Sequence, residues 1–343
     1  MRSLKVGFLV AFLICFLTQP LYAADTHKIV SSKVSAAPEI DGSGSDSQWK
    51  SAKKVAVEAE DGPEITVQSV YTDKEIFFLI QVVGDLDESV NMDQWVYDGS
   101  KWTVKQEERI DEKWDADTDR FAFQWPITDA AQIKKNIKGK EFSFEQKGCA
   151  TICHSPEKED KMYLLDSGRK TDIWQWKAAL TNPLGYADDW YQDSTNKTVA
   201  QEADKPKRIQ AAQKGDELLG YVANNASNKP KWMPKGGPNN KPYLMKGEEI
   251  PLDMSRIKKG DTIPGWLLSR PKGSGGDVNA AGKYDEEEAA WVLEFGRKLV
   301  TADKANDVQF DVKKKYYFGM ATWDNDRLQK HTRVKKPFEL TFK

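Results

Sequence analysis

The chain has 343 residues, of which 30% are charged, and a formal charge of −2. This mild acidity disfavours nucleic acid and anionic membrane surfaces as partners. Twelve Trp, 14 Phe and 11 Tyr exclude a disordered chain and call for a buried core.

The N-terminus sets the compartment. Arg2 and Lys5 precede an apolar run from Val6 to Leu17, and Leu21-Tyr22-Ala23 supplies small residues where a signal peptidase cuts. Residues 1–23 are therefore expected to be a signal peptide, and residues 24–343 a periplasmic domain. The apolar run falls short of the ~20 residues of a membrane span, and no other stretch reaches that length.

Period-2 alternation predicts strands over Lys28–Val34, Val55–Ala59, Glu64–Tyr71, Ile76–Val83 and Arg120–Ile127. Trp49 is expected to plug an edge of the core, and Thr72–Glu75 to turn tightly. Alternating Asp115, Asp117 and Asp119 complete no calcium-loop pattern and read as solvated carboxylates. Asp129–Ile137 reads as a short helix. Lys170–Leu180 also has helical spacing, with Ile173, Trp176 and Leu180 on one face and Trp174 off the stripe, where it could face a cofactor. Residues 196–283 are rich in Pro, Gly, Asn and Lys without periodicity and read as a long irregular insertion. Strand pattern returns at Ala289–Phe295, Val308–Val312, Tyr316–Trp323 and Phe338–Phe342. Strands at both ends, without βαβ alternation, predict a mainly-β sandwich with an inserted segment.

The chemistry concentrates at Gly148-Cys149-Ala150-Thr151-Ile152-Cys153-His154. Two thiols followed by a histidine form the attachment signature of a c-type haem, here with three residues between the cysteines where two are usual. His154 would be the proximal iron ligand. In an oxidising compartment Cys149 and Cys153 could instead pair as a disulfide, which gives His154 no task. A zinc site on Cys149, Cys153 and His154 lacks a fourth ligand. His331, after the strand ending at Trp323, is the first candidate for the distal ligand, with Lys330, Met320 and Met162 as alternatives. His27 sits at the mature N-terminus, too mobile to hold iron. A nucleophile elbow, phosphate loop and HExxH are all absent, so an enzyme is not expected. An Asp-Gly…Trp opening also suits a carbohydrate-binding sandwich, which would use the tryptophans and leave the haem motif idle.

Several further stretches carry a resemblance that spans the mature chain. They are Ile40-Asp41-Gly42 with Trp49, Asp172-Ile173-Trp174-Gln175-Trp176-Lys177, Thr181 to Asp189, Ile263-Pro264-Gly265, Gly276-Asp277-Val278, Phe295 to Leu299, and Ala321 to Asn325. With the Cys149–His154 stretch they resemble the haem-binding domain family of ethylbenzene dehydrogenase-type γ subunits, in its c-type branch. The resemblance implies an immunoglobulin-like β-sandwich with one haem c between loops at one end. It implies electron transfer as a free carrier or beside molybdopterin catalytic and iron–sulfur subunits. It also maps the distal ligand to His331, with Lys330 where the b-type branch uses a lysine. Trp174 and Trp176 would wall the pocket.

Overall fold

The computed structural model describes residues 27–59, 62–84, 93–105, 118–152, 169–193, 220–324 and 331–343. The expected signal peptide, Asp115, Asp117, Cys153, His154, Met162 and Lys330 lie outside them. No helix among the described residues is long and apolar enough to cross a membrane.

Eleven strands build the scaffold: β1 (His27–Lys33), β2 (Val55–Glu58), β3 (Glu64–Tyr71), β4 (Glu75–Val83), β5 (Arg120–Pro126), β6 (Lys170–Lys177), β7 (Tyr186–Asp193), β8 (Val278–Asp285), β9 (Ala290–Lys298), β10 (Tyr316–Trp323) and β11 (Phe338–Phe342). The hydrogen-bonded order is β1-β11-β10-β5-β6-β7-β8-β9-β4-β3, and β3 pairs back onto β1 to close a ring. Strand β1 runs parallel to both neighbours, and the other ring pairs are antiparallel. Strand β2 hangs from β3. Closure leaves the ring no open edge to pair with other chains.

The interior is filled, because alternate residues of opposite walls meet. Phe78 of β4 and Phe295 of β9 each lie 5.1 Å, ring to ring, from Phe123 of β5. Trp125 of β5 lies 4.4 Å from Phe318 of β10. Two facing layers thus share one aromatic core while their edges are joined, so the mainly-β sandwich expectation holds.

Three local expectations fail. Lys170–Lys177 is a strand, not a helix. Residues 129–133 form a turn that leads into a hairpin of Lys134–Ile137 and Lys140–Ser143. Val308–Val312 has no strand partner, although Val308 and Phe310 pack into the core.

The expected irregular insertion is also more ordered than its sequence suggests. From residue 220 onward it forms short strands, among them Tyr221–Ala223 with Trp266–Leu268 and Trp232–Pro234 with Glu249–Pro251. Asn224 ties them together: its amide donates to the carbonyls of Trp232 and Pro264, and its Oδ1 accepts from the amides of Lys231 and Trp232. Three-residue strands ending at Pro234, Pro251 and Pro264 are too short to show a period. The scaffold resumes at Val278, inside the span read as insertion.

Candidate functional site

Strand β10 divides the site from the core. Phe318 and Met320 point inward and are fully buried. Gly319, Ala321 and Trp323 point the other way, opposite Gln124, Ala122 and Arg120 of β5. Met320, an alternative iron ligand on sequence grounds, is therefore a core residue.

Cys149 is seated against the outward face of β10. A capping box between Ser143 and Gln146 starts a single helical turn over Phe144–Lys147, and Gly148 ends it at φ +52°. The chain needs glycine there for that φ and because a Cβ would come 3.3 Å from the nitrogen of Pro337. A further turn over Gly148–Thr151 is closed by Thr151 Oγ1 donating to the Gly148 carbonyl at 2.8 Å. Phe144 and Ile152 anchor this segment in a small apolar cluster with Ala130 and Ile133. The Cys149 side chain, buried, is thereby pressed onto Gly319 so closely that a Cβ at 319 would stand 2.0 Å from its sulfur.

His331 lies at the far end of the same face. Its ring centroid is 5.3 Å from that of Trp323, tilted by 42°. The following residues, Thr332 and Arg333, pair with Thr322 and Ala321 and fix where the loop returns. Between the sulfur and this ring pair run Gly319, Ala321 and the neighbouring Ala122, none with a side chain beyond Cβ. Four residues of strand separate the two ends, about 13 Å. Sequence reasoning named Cys149 and His331 as candidates but did not single out this floor. Its signal was there, in the small residues at alternate positions before Trp323.

Trp174 and Trp176 are placed differently from expectation. In a strand, Asp172, Trp174 and Trp176 share one face, and it is the inner one. The Trp174 Nε1 donates to Asp172 Oδ2 at 3.2 Å, and the Arg297 guanidinium lies 4.5 Å from its ring centre. Trp176 donates to Asn182 Oδ1 at 3.1 Å and packs 4.8 Å from Trp291. Both tryptophans are core residues on the inner side of the sheet, whereas Cys149 lies against its outer side.

The other stretches that carried the resemblance converge on buried polar contacts. Glu294 accepts from the amides of Asp41 and Gly42 and from Trp49 Nε1, and burial raises its pKa. Lys177, fully buried, pairs with Asp188 at 3.2 Å and donates to the Tyr221 hydroxyl at 2.5 Å. Arg297 pairs with Asp172 at 2.8 Å and Asp189 at 3.5 Å, and its other terminal nitrogen donates to the Val308 carbonyl. Burial drives the Asp189 carboxyl well above its ordinary pKa, with the Asp172 charge adding to the shift and Arg297 opposing it.

Fold and site together define a closed, mainly-β domain with a buried cysteine and a histidine on one strand face. The family model described as ethylbenzene dehydrogenase matches residues 28–335, and the chain belongs to that family, which ties it to an oxidoreductase. No curated protein matches it. Among solved structures it is similar to a family 9 carbohydrate-binding module from Caldicellulosiruptor kristjanssonii in complex with cellotriose. That match has 8% identity and a TM-score of 0.32, covering 92% of this chain and 94% of that one. A putative carbohydrate-binding protein from Bacteroides uniformis matches at 10% identity and a TM-score of 0.34, covering 92% and 99%. Superpositions this loose say nothing about ligand or activity.

Proposed function

We propose that the chain is a periplasmic single-haem c-type electron carrier, serving as a non-catalytic subunit of the oxidoreductase its family names. The observation that carries this reading is the outward face of β10, with Cys149 fixed at one end and His331 against Trp323 at the other. Cys149 and Cys153 would hold haem c through thioethers, with His154 and His331 as the iron ligands, and Lys330 and Met162 as alternatives to His331. When bound, the haem supplies a one-electron iron couple, and a second histidine gives it a lower potential than a methionine would.

The protein's own work is placement and exclusion of water. The turn between Pro337 and Gly319 holds the Cys149 sulfur in one position. Trp323, only 5% exposed, shields the histidine end and lowers the local dielectric, which tunes the potential. Partners on this reading are redox proteins, among them molybdopterin and iron–sulfur subunits.

A haem stain on a denaturing gel tests the proposal. The wild-type chain should stain and Cys149→Ala/Cys153→Ala should not. His331→Ala should change the low-spin absorption spectrum. A wild-type chain matured with a working cytochrome c assembly system that carries no stain would sink the reading, and an unchanged His331→Ala spectrum would move the distal ligand elsewhere.

A further inference from the structure

A basic surface adjoins the turn that carries Cys149. Between residues 134 and 147 the sequence has five lysines and two glutamates, in a chain whose formal charge is −2. The hairpin of Lys134–Ile137 and Lys140–Ser143 pairs Lys135 with Phe142 and Ile137 with Lys140, so these four share one face. At its base the Phe144 amide donates to the Ile133 carbonyl at 2.8 Å, and both side chains pack with Ile152, three residues beyond Cys149. The hairpin is thereby fixed to the Cys149 turn.

Lys138, Lys140 and Lys147 are exposed and have no carboxylate partner among the described residues. The Lys140 and Lys147 ammoniums stand 5.4 and 5.2 Å from the centre of the Phe142 ring. Phe142 and Ile137 are themselves only half-buried. The two acids of the stretch are engaged elsewhere: Glu141 pairs with Lys134 on the opposite face at 3.0 Å, and Glu145 acts on the Tyr317 hydroxyl. The tip is held in one shape, with Lys138 and Gly139 both at positive φ, +51° and +82°, and the Gly139 amide donating to Asn136 Oδ1 at 2.8 Å. A turn of this kind favours asparagine or glycine at its first position, yet a lysine stands there.

An apolar centre with a charged rim is the anatomy of a protein interface, and unpaired ammoniums call for carboxylates. An anionic bilayer would suit the lysines too, but it is extended and would also meet the acidic remainder of the molecule. A protein partner touches only about 800 Å² and can confine itself to this face. We propose that the face docks an acidic patch on the protein that exchanges electrons with the chain. The proposal rests on the haem reading, since a redox centre at Cys149 is what gives a partner reason to dock beside it. Opposite charges speed the encounter, and salt screening keeps the complex short-lived, as repeated electron exchange requires.

Three variants of the full haem-loaded chain test it. They are Lys138→Ala/Lys140→Ala/Lys147→Ala, the same three positions changed to arginine, and Lys304→Ala/Lys313→Ala/Lys314→Ala, which removes equal charge from exposed lysines elsewhere. Labelled poly-L-glutamate is titrated at about 10 mM ionic strength, where the Debye length is about 30 Å. Its binding should weaken at least about tenfold in the first variant and by less than about twofold in the other two. Ferricyanide takes one electron from the ferrous protein to become ferrocyanide, and this oxidation should slow by a similar factor in the first variant alone. A tripositive cobalt phenanthroline oxidant should instead react faster with it. Equal losses in the first and third variants overturn the location. Loss in the arginine variant overturns charge as the basis of docking. Co-sedimentation with phosphatidylglycerol vesicles without polyglutamate binding overturns the choice of a protein partner. A chain that carries no haem refutes the redox half of the proposal together with the functional reading, and polyglutamate binding alone then decides the surface.

Discussion

Replacing Gly319 by alanine tests whether the Cys149 sulfur lies on β10. The new Cβ would stand 2.0 Å from Sγ, whereas ordinary non-bonded contact is about 3.5–4 Å. The turn would have to withdraw by roughly 1.5 Å, and it has little room. A Cβ built at Gly148 already comes 3.3 Å from Pro337, and Thr151 is bonded back to the Gly148 carbonyl. Overpacking of this kind costs about 1–3 kcal/mol. Elsewhere in a strand, exchanging glycine for alanine gains about 0.5–1 kcal/mol, because glycine loses more freedom on folding. The substitution should therefore change sign with its neighbour. In haem-free chains compared by urea denaturation, Gly319→Ala should destabilise the Cys149 protein by roughly 1–2 kcal/mol net. In a Cys149→Ala background, where the sulfur is gone, it should be neutral or stabilising. Such a difference is a coupling energy between touching residues. Haem attachment should also fall in Gly319→Ala alone. Equal effects in the two backgrounds would refute the contact.

Glu294→Gln should destabilise by about 1–3 kcal/mol, because its amide would present a donor to Trp49 Nε1 or to the Asp41 and Gly42 amides, all of them donors themselves. Urea denaturation checks this, and a loss under about 0.5 kcal/mol would mean the three bonds are not all made. For pH dependence, burial raises Asp189, Asp277, Asp307 and Glu294 above their ordinary values, Asp307 from 3.8 to about 6. These four groups then bind more protons in the native state than in the unfolded one between about pH 4 and 6. Stability should accordingly fall as pH rises through that window. Thermal melting at pH 4.5 and 6.5 measures it, and higher stability at pH 6.5 would contradict the raised values.

The strands that sequence predicted well carry a period of two in their residue types. Glu64–Tyr71, Tyr316–Trp323 and Phe338–Phe342 have the predicted bounds, since apolar residues alternate with polar or small ones there. Lys170–Lys177 was misread because the charged Asp172 shares the inner face with Trp174 and Trp176 while the apolar Ile173 lies on the other, so residue types do not alternate. Ile173, Trp176 and Leu180 then imitate a helical stripe. The same misreading sent Trp174 toward a cofactor when strand parity puts it beside Asp172. The acidic cluster was illegible for another reason: Asp172, Asp189, Asp277, Arg297 and Asp307 are separated by up to 135 residues, and only the ring order brings them together.

The two faces of β10 depend on each other through register. A slip of one residue along β5 would turn Phe318 and Met320 outward and bring Gly319, Ala321 and Trp323 into the core. The inner packing forbids it, because Phe318 is held 4.4 Å from Trp125 and stacked 4.9 Å from Phe338. Trp125 and Trp174 lie 5.3 Å apart, and Trp174 in turn bears Arg297 and Asp172. The charge cluster and the aromatic core thus fix β5, β6 and β10 in one alignment, and that alignment presents a glycine to Cys149 and a tryptophan to His331. Trp125 and Trp174, packed behind β10, thereby help set which residues its outward face displays.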